Sequence, residues 1–305
     1  MENKIMTKTS AKFDIYEFIN NEIITQLENG IIPWLKPWTG RADGAYSRAT
    51  GKPYSLLNQF LLGGSGEWAT FKQITEAGGK IKKGEKARQV VYWSQVKITE
   101  KDENGKPLKD NSGKPVEKIV PMLKYYSVFR VGVQTEGVEP LEEAPSAPII
   151  TESEDDAVGY ILTYCHDYNI KLEHLFQDRA YYSPASDRIS LPMREQFTNS
   201  AEYLGTLYHE AIHSTGHKSR LDRLSTIAHF GNEEYSREEL VAEIGTASAL
   251  RQLGVDTAAS LKNSAAYIQS WLRALKNDKK MIVWAANRAE KAVNMIFDAS
   301  IIPQF

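Results

Sequence analysis

The sequence predicts an α+β protein of two domains, residues 1–133 and 157–305, joined by an acidic linker over 134–156. Three observations carry that expectation. Strand and helix patterns mix in the first part, whereas helical spacing dominates the second. Residues 134–156 hold eight acidic side chains, no basic one and three prolines, a composition that keeps a chain extended. Net charge also changes along the chain, from +7 over 1–133 to −8 in the linker and −1 over 157–305.

The 305 residues suffice for two hydrophobic cores. With 42% hydrophobic and 25% charged residues, the composition excludes a disordered chain. A single cysteine, Cys165, excludes a disulfide framework and a Cys-based zinc finger, and it fits a reducing cytoplasm. No run of about 18 apolar residues occurs, so neither a membrane span nor a Sec-type signal is expected. The total charge of −2 would argue against nucleic acid, but the regional split shows that the linker produces it.

The elements follow in order. Residues 13–29 place Phe13, Tyr16, Ile19, Ile23 and Leu27 on one helical stripe, closed by Gly30. Residues 70–77 read as a short helix stopped by Gly78-Gly79. Residues 89–98 and 122–133, rich in Val, Tyr and Trp, read as the strands of a long hairpin. Its tip carries two turn motifs ending in Gly105-Lys106-Pro107 and Gly113-Lys114-Pro115, too short to count as a structural repeat.

The second part opens with a helix over 156–168 and two short strands within 179–191. A helix over 199–215 begins with Asn199 and Glu202 at capping-box spacing and ends at Gly216. Residues 236–253 open likewise with Ser236 and Glu239. Helices over 261–276 and 278–299 complete the chain.

His209-Glu210-Ala211-Ile212-His213 lies inside the 199–215 helix. Residues i and i+4 share a helix face, so both imidazoles can reach one zinc, or another divalent ion. Such an ion lowers the pKa of bound water towards about 7, and Glu210 beside it can take the proton and return it to a leaving amine. A third ligand is expected from the carboxylates of 237–243. Glu239 and Glu243 share a face, so one can bind metal while the other orients a ligand histidine. Glu239 is the first choice and Glu243 its partner, with Glu238 also in play and Glu239 alternatively bonding the helix start. This arrangement resembles the gluzincin zinc peptidases. Tyr235, His229, His217 and Tyr208 could stabilise an oxyanion; spacing does not choose among them, and Tyr235 is carried forward with Glu210. Residues 188–191 stand where an edge strand would bind extended peptide, by fold-level analogy.

The first 133 residues hold Trp34, Trp38, Trp68 and Trp93 interleaved with lysine and arginine. Taken singly these read as core and solvated loop. Together they match the needs of single-stranded DNA, which takes cations along its phosphates and aromatic faces under its bases. The candidate contacts are Lys36, Trp38, Arg48, Tyr54, Lys72, Lys82, Lys83, Lys86, Arg88 and Trp93.

Pro33-Trp34 with Pro37-Trp38, Gly51-Lys52 with Tyr54 and Asn58, Trp68 with Lys72-Gln73, and Lys83-Gly84-Glu85-Lys86 ahead of Val90-Val91-Tyr92-Trp93 form a distinctive order. With the His209–His213 motif, Thr215-Gly216-His217 and 237–243, this order resembles the ArdC-type antirestriction proteins, whose N-terminal domain also occurs in plasmid TraC-type primases. The resemblance spans nearly the whole chain. It implies a single-stranded DNA-binding domain joined to a zincin-like metallopeptidase domain, carried by mobile elements to shield incoming DNA from restriction. A host protein is the peptidase substrate this architecture implies. The alternative is a DNA-binding protective protein whose metal domain is structural or inactive.

Overall fold

The computed structural model describes residues 13–35, 44–141, 153–224, 233–255 and 264–297. Helix α1 (Ile15–Glu28) starts where the Asp14 side chain accepts the N–H groups of Tyr16 and Glu17, and it buries Ile19, Ile23 and Leu27. A four-stranded sheet follows in the order β1-β2-β5-β4. In it β1 (Ala45–Ser47) runs parallel to β2 (Gly66–Ala69), and β5 (Glu117–Arg130) runs antiparallel to both β2 and β4 (Arg88–Thr99).

Helix α2 (Leu56–Leu62) carries no sequence signature, because all seven of its residues are buried and no polar face marks a period. Two neighbouring amides tie it to the sheet. Asn58 donates to the Val91 carbonyl and accepts the Val91 N–H, both at 2.8 Å. Gln59 makes the same reciprocal pair with Ala45, again at 2.8 Å. Helix α3 (Phe71–Glu76) opens on a Thr70/Gln73 capping box.

Beyond Thr99 and Glu117 the β4–β5 hairpin divides. Asp102 Oδ1 accepts the N–H groups of Asn104 and Lys106, and Asp110 Oδ1 accepts those of Ser112 and Lys114. Gly105 and Gly113 sit at φ +77° and +81°. Three backbones then close a ring: Glu100 N–H donates to Val116, Val116 to Leu108 and Leu108 to Glu100, each at 2.8 Å. The two Gly-Lys-Pro motifs therefore share one fold, contrary to what their brevity suggests.

The acidic stretch also departs from expectation at its start. Thr135 and Glu136 form β6 (Thr135–Glu136), paired with β3 (Lys80–Ile81), and Val138 is buried against Ala69, Ile74 and Val131. Leu141 N–H donates to Glu67 at 2.9 Å. Burial of Thr135 and Val138, together with the Lys80–Glu136 pair at 3.1 Å, outweighs the charge repulsion that favoured an extended segment. At its far end, Glu154–Asp156 form the first turn of α4 (Glu154–Asp167), where acidic groups suit the helix N-terminus. Residues 142–152 lie outside the described residues.

The second part holds a three-stranded sheet in the order β7-β9-β8. Strand β9 (Arg188–Pro192) pairs with β7 (Lys171–Leu175) in parallel and with β8 (Tyr181–Ser183) antiparallel. Residues 188–191 are therefore the central strand, paired on both sides, and not the expected edge. Helix α5 (Ser200–Thr215) packs on β8 and β9, α6 (Glu233–Gln252) and α8 (Met281–Phe297) pack on α5 and on each other, and α7 (Ser264–Asn277) packs against α1, α6 and α8. Gly245 lets α6 approach α5 closely, since a Cβ there would stand 2.9 Å from Ile212.

A single hydrophobic core crosses the boundary between the two parts. It unites Ile19, Ile23, Leu27, Trp34, Leu56, Phe60, Val91 and Leu123 with α4–α6 and α8. Trp34 meets Trp271 edge-on at 5.1 Å, and buried Asn20 donates to the Leu275 carbonyl at 2.8 Å. Among the described residues no helix is long and apolar enough to cross a membrane.

Candidate functional site

Helix α5 builds the centre of the site. Asn199 caps it by accepting the Glu202 N–H, and Tyr203, Leu204, Leu207, Tyr208 and Ile212 fix its inner face in the core. The opposite orientation leaves His209 and His213 side by side, their Nε2 atoms 3.1 Å apart. Glu239 from α6 completes the group, with carboxylate oxygens 3.7 Å from His209 Nε2 and 3.5 Å from His213 Nε2. Two ligands of a tetrahedral zinc, each at about 2.0–2.1 Å, lie about 3.4 Å apart. The three donors are therefore spaced for a zinc-sized divalent ion.

Charges around the donors oppose desolvation. Burial alone would lower the His209 pKa, but Glu239, Glu210 and Glu243 raise it. Burial raises Glu239, yet His209, His213 and a hydrogen bond from Tyr235 bring it below the usual carboxylate range. Glu243 moves the other way, raised by burial and by its proximity to Glu239. Glu210 is buried next to His209 on the same helix.

Helix α6 begins at Glu233, so Ser236 lies within the helix and not at its cap. The competing role of Glu239 at the helix start thus disappears. Glu238 Oε1 lies 3.4 Å from His213 Nδ1, whereas Glu243 feels the two histidines electrostatically. Glu238 is itself gripped by Arg223, which also donates to Thr215 Oγ1 and to the Ile212 carbonyl, both at 2.8 Å. Arg223 carries no local signal in sequence that would place it beside Glu238.

The other oxyanion candidates separate. Tyr208 is fully buried and donates to the Ala157 carbonyl at 2.7 Å, so it serves the core. His217 bonds Ser219 at 2.7 Å and faces Asp187, away from the three-donor group. Tyr235 adjoins the metal group through Glu239. His229 lies outside the described residues.

The nucleic-acid candidates also divide. Lys72, Lys83, Lys86 and Arg88 are exposed, and Trp93 is half exposed on β4. Lys82 is partly engaged, its Nζ donating to the Val133 carbonyl at 2.6 Å. Arg48 is held by the buried carboxylate of Glu67 and by the Glu139 carbonyl, leaving little of its charge for a phosphate. Tyr54 is buried in a small core with Trp68 and Val90, and burial raises its hydroxyl pKa. Lys36 and Trp38 lie outside the described residues. Tyr92, Tyr125 and Tyr126, absent from the candidate list except as neighbours of Trp93, are half-exposed on the same hairpin.

Residues 13–129 match a family model described as the N-terminal domain of anti-restriction factor ArdC, and residues 161–288 match one described as a zincin-like metallopeptidase. The chain is similar to the solved metal-free structure of the antirestriction ArdC protein from plasmid R388, with 33% identity and a TM-score of 0.72. That match covers 96% of this chain and 100% of the other. The Mn(II)-bound structure of the same protein matches at 32% identity and a TM-score of 0.71. A DNA primase TraC from Escherichia coli is 36% identical over 92% of this chain, which spans only 20% of the primase. The uncharacterized protein y4eC of Sinorhizobium fredii is 29% identical, with 91% of this chain and 90% of that protein covered.

Proposed function

This chain belongs to the ArdC family of antirestriction proteins, and from that premise we propose that it protects mobile-element DNA by binding single strands and carries a divalent-metal peptidase site. The observation that carries the peptidase reading is the clustering of His209, His213 and Glu239 donor atoms within 4.8 Å of one another, beside Glu210. His209, His213 and Glu239 would hold the ion, zinc or another divalent metal. Such an ion, when bound, supplies a Lewis acid and lowers the pKa of water towards about 7.

Glu210 is the residue assigned to take a proton from that water and deliver it to the leaving amine. A site that merely held metal would have no use for a carboxylate at that position. Tyr235 and Glu238 hold the ligands Glu239 and His213 in orientation. The DNA reading rests on exposed Lys83, Lys86 and Arg88 beside half-exposed Tyr92 and Trp93. A host protein is the substrate class proposed for the peptidase.

Glu210→Gln tests the peptidase reading. Protection of incoming DNA in a restricting host should fall while bound metal and single-strand affinity stay at wild-type levels. Undiminished protection by Glu210→Gln, with protection lost in a Lys83→Ala/Lys86→Ala variant, would reduce the function to DNA binding.

A further inference from the structure

A cleft of about 500 Å³ opens where the base of the hairpin meets α8. Small-molecule sites span roughly 300–1,000 Å³, so a single nucleotide is within its capacity. Its lining includes Trp93, on the hairpin face that also carries Val91 and Leu123, then Tyr92 and Tyr126 on the opposite face, and Asn287 and Glu290 of α8. Tyr92 and Tyr126 meet edge-on at 5.7 Å, yet 45% and 37% of their surfaces remain open, as does 50% of Trp93. Exposed Lys52 also lines the cleft.

The two sides offer different chemistry. Aromatic faces attract a flat π-system without regard to its identity. Asn287 contributes an amide with both donor and acceptor atoms. Glu290 accepts the Leu56 N–H at 3.1 Å, which fixes its carboxyl group in the cleft wall as an acceptor. Flat apolar faces, an edge-reading amide and carboxyl, and a nearby cation match a nucleotide more closely than a peptide side chain.

We propose that this cleft receives one unpaired base of single-stranded DNA, stacked against Trp93 with its edge towards Asn287 and Glu290 and its phosphate near Lys52. The proposal rests on the single-strand reading above and extends the DNA footprint onto a helix of the metal-bearing part. It also predicts a preference for single strands, since a base already paired in a duplex cannot present its edge to α8.

Fluorescence anisotropy of the full chain with a labelled oligonucleotide, and with an abasic strand of equal phosphate count, tests it. The wild type should favour the base-bearing strand by at least about fivefold, as expected for one stacked base. Asn287→Ala and Trp93→Ala should each lose most of that margin and leave abasic affinity unchanged. Lys83→Ala/Lys86→Ala should weaken both strands alike. Wild-type preference retained in Asn287→Ala and Trp93→Ala, or equal weakening of both strands by them, would overturn the cleft while leaving single-strand binding intact. Failure of the wild type to bind either strand would remove the single-strand reading itself, and this proposal with it.

Discussion

Arg223 grips Glu238 at two points, Nε to Oε2 at 3.0 Å and Nη2 to Oε1 at 2.8 Å, with both side chains almost wholly buried. Through Glu238 this fork reaches His213. Arg223→Ala would leave a buried carboxylate without its partner, at a cost of about 3–5 kcal/mol in stability. The urea midpoint should fall accordingly. Arg223→Lys should recover only part of the loss, because an ammonium cannot reproduce the planar fork.

The carboxylates of α6 should differ in their effect on metal. Glu239→Ala is expected to abolish stoichiometric zinc, read by elemental analysis after dialysis. Glu238→Ala should weaken binding by about 10–100-fold, the usual effect of removing a group that orients a ligand histidine. Glu243→Ala should leave the metal content unchanged, and loss of metal there would exchange the roles of Glu239 and Glu243.

Arg194 forks Glu154, Nε to Oε1 at 2.6 Å and Nη2 to Oε2 at 2.8 Å, and this hydrogen bonding holds the carboxyl down to about 2, from an ordinary 4.5. The contact ties the start of α4 to the turn before α5. Its stabilising effect is complete above pH 4.5 and disappears as pH falls towards 2. Since both groups are partly exposed, Glu154→Gln should cost only about 0.5–1 kcal/mol at neutral pH. Denaturation curves of variant and wild type should converge across that acid window.

Burial pushes the Cys165 thiol up to about 12. At pH 8 the native chain should therefore resist iodoacetamide, and the thiol should alkylate only once denaturant opens the core. Mass spectrometry distinguishes the two states. Rapid alkylation of the native chain would contradict the burial of α4 against α5.

Single-stranded DNA should bind more tightly than duplex at matched salt, and log affinity should fall linearly with log salt. The Lys83→Ala/Lys86→Ala variant should reduce that slope by about 1–2, one unit or slightly less for each phosphate contact removed. Arg48→Ala should leave the slope unchanged, because Glu67 already neutralises that guanidinium.

What could be read from the sequence was local. Helix α5 announced itself because its Asn199 cap, apolar stripe and histidine spacing all lie within one segment. The third donor was harder, since Ser236 and Glu239 imitate a helix start at a point where α6 is already under way. Trp34 and Trp68 went to cores while Trp93 stayed half exposed, although all three sit in similar basic surroundings. Packing partners distant in sequence, such as Trp271, made that distinction. Arg48 and Tyr54 looked like ligand contacts because Glu67 and Tyr126, which engage them, lie well downstream.

The ring of Glu100, Leu108 and Val116 turns the hairpin tip into a two-leaved clover on the stalk of β4 and β5. Each leaf is closed by its own aspartate, and the pairing of Thr99 with Glu117 is set below the fork. A leaf can therefore be trimmed, lengthened or replaced by a fluorescent peptide without shifting the stalk by a residue, and Val90 and Val128 at its root would keep their places. That makes the clover a graft point from which the proposed meeting with DNA can be tested while the interior stays untouched.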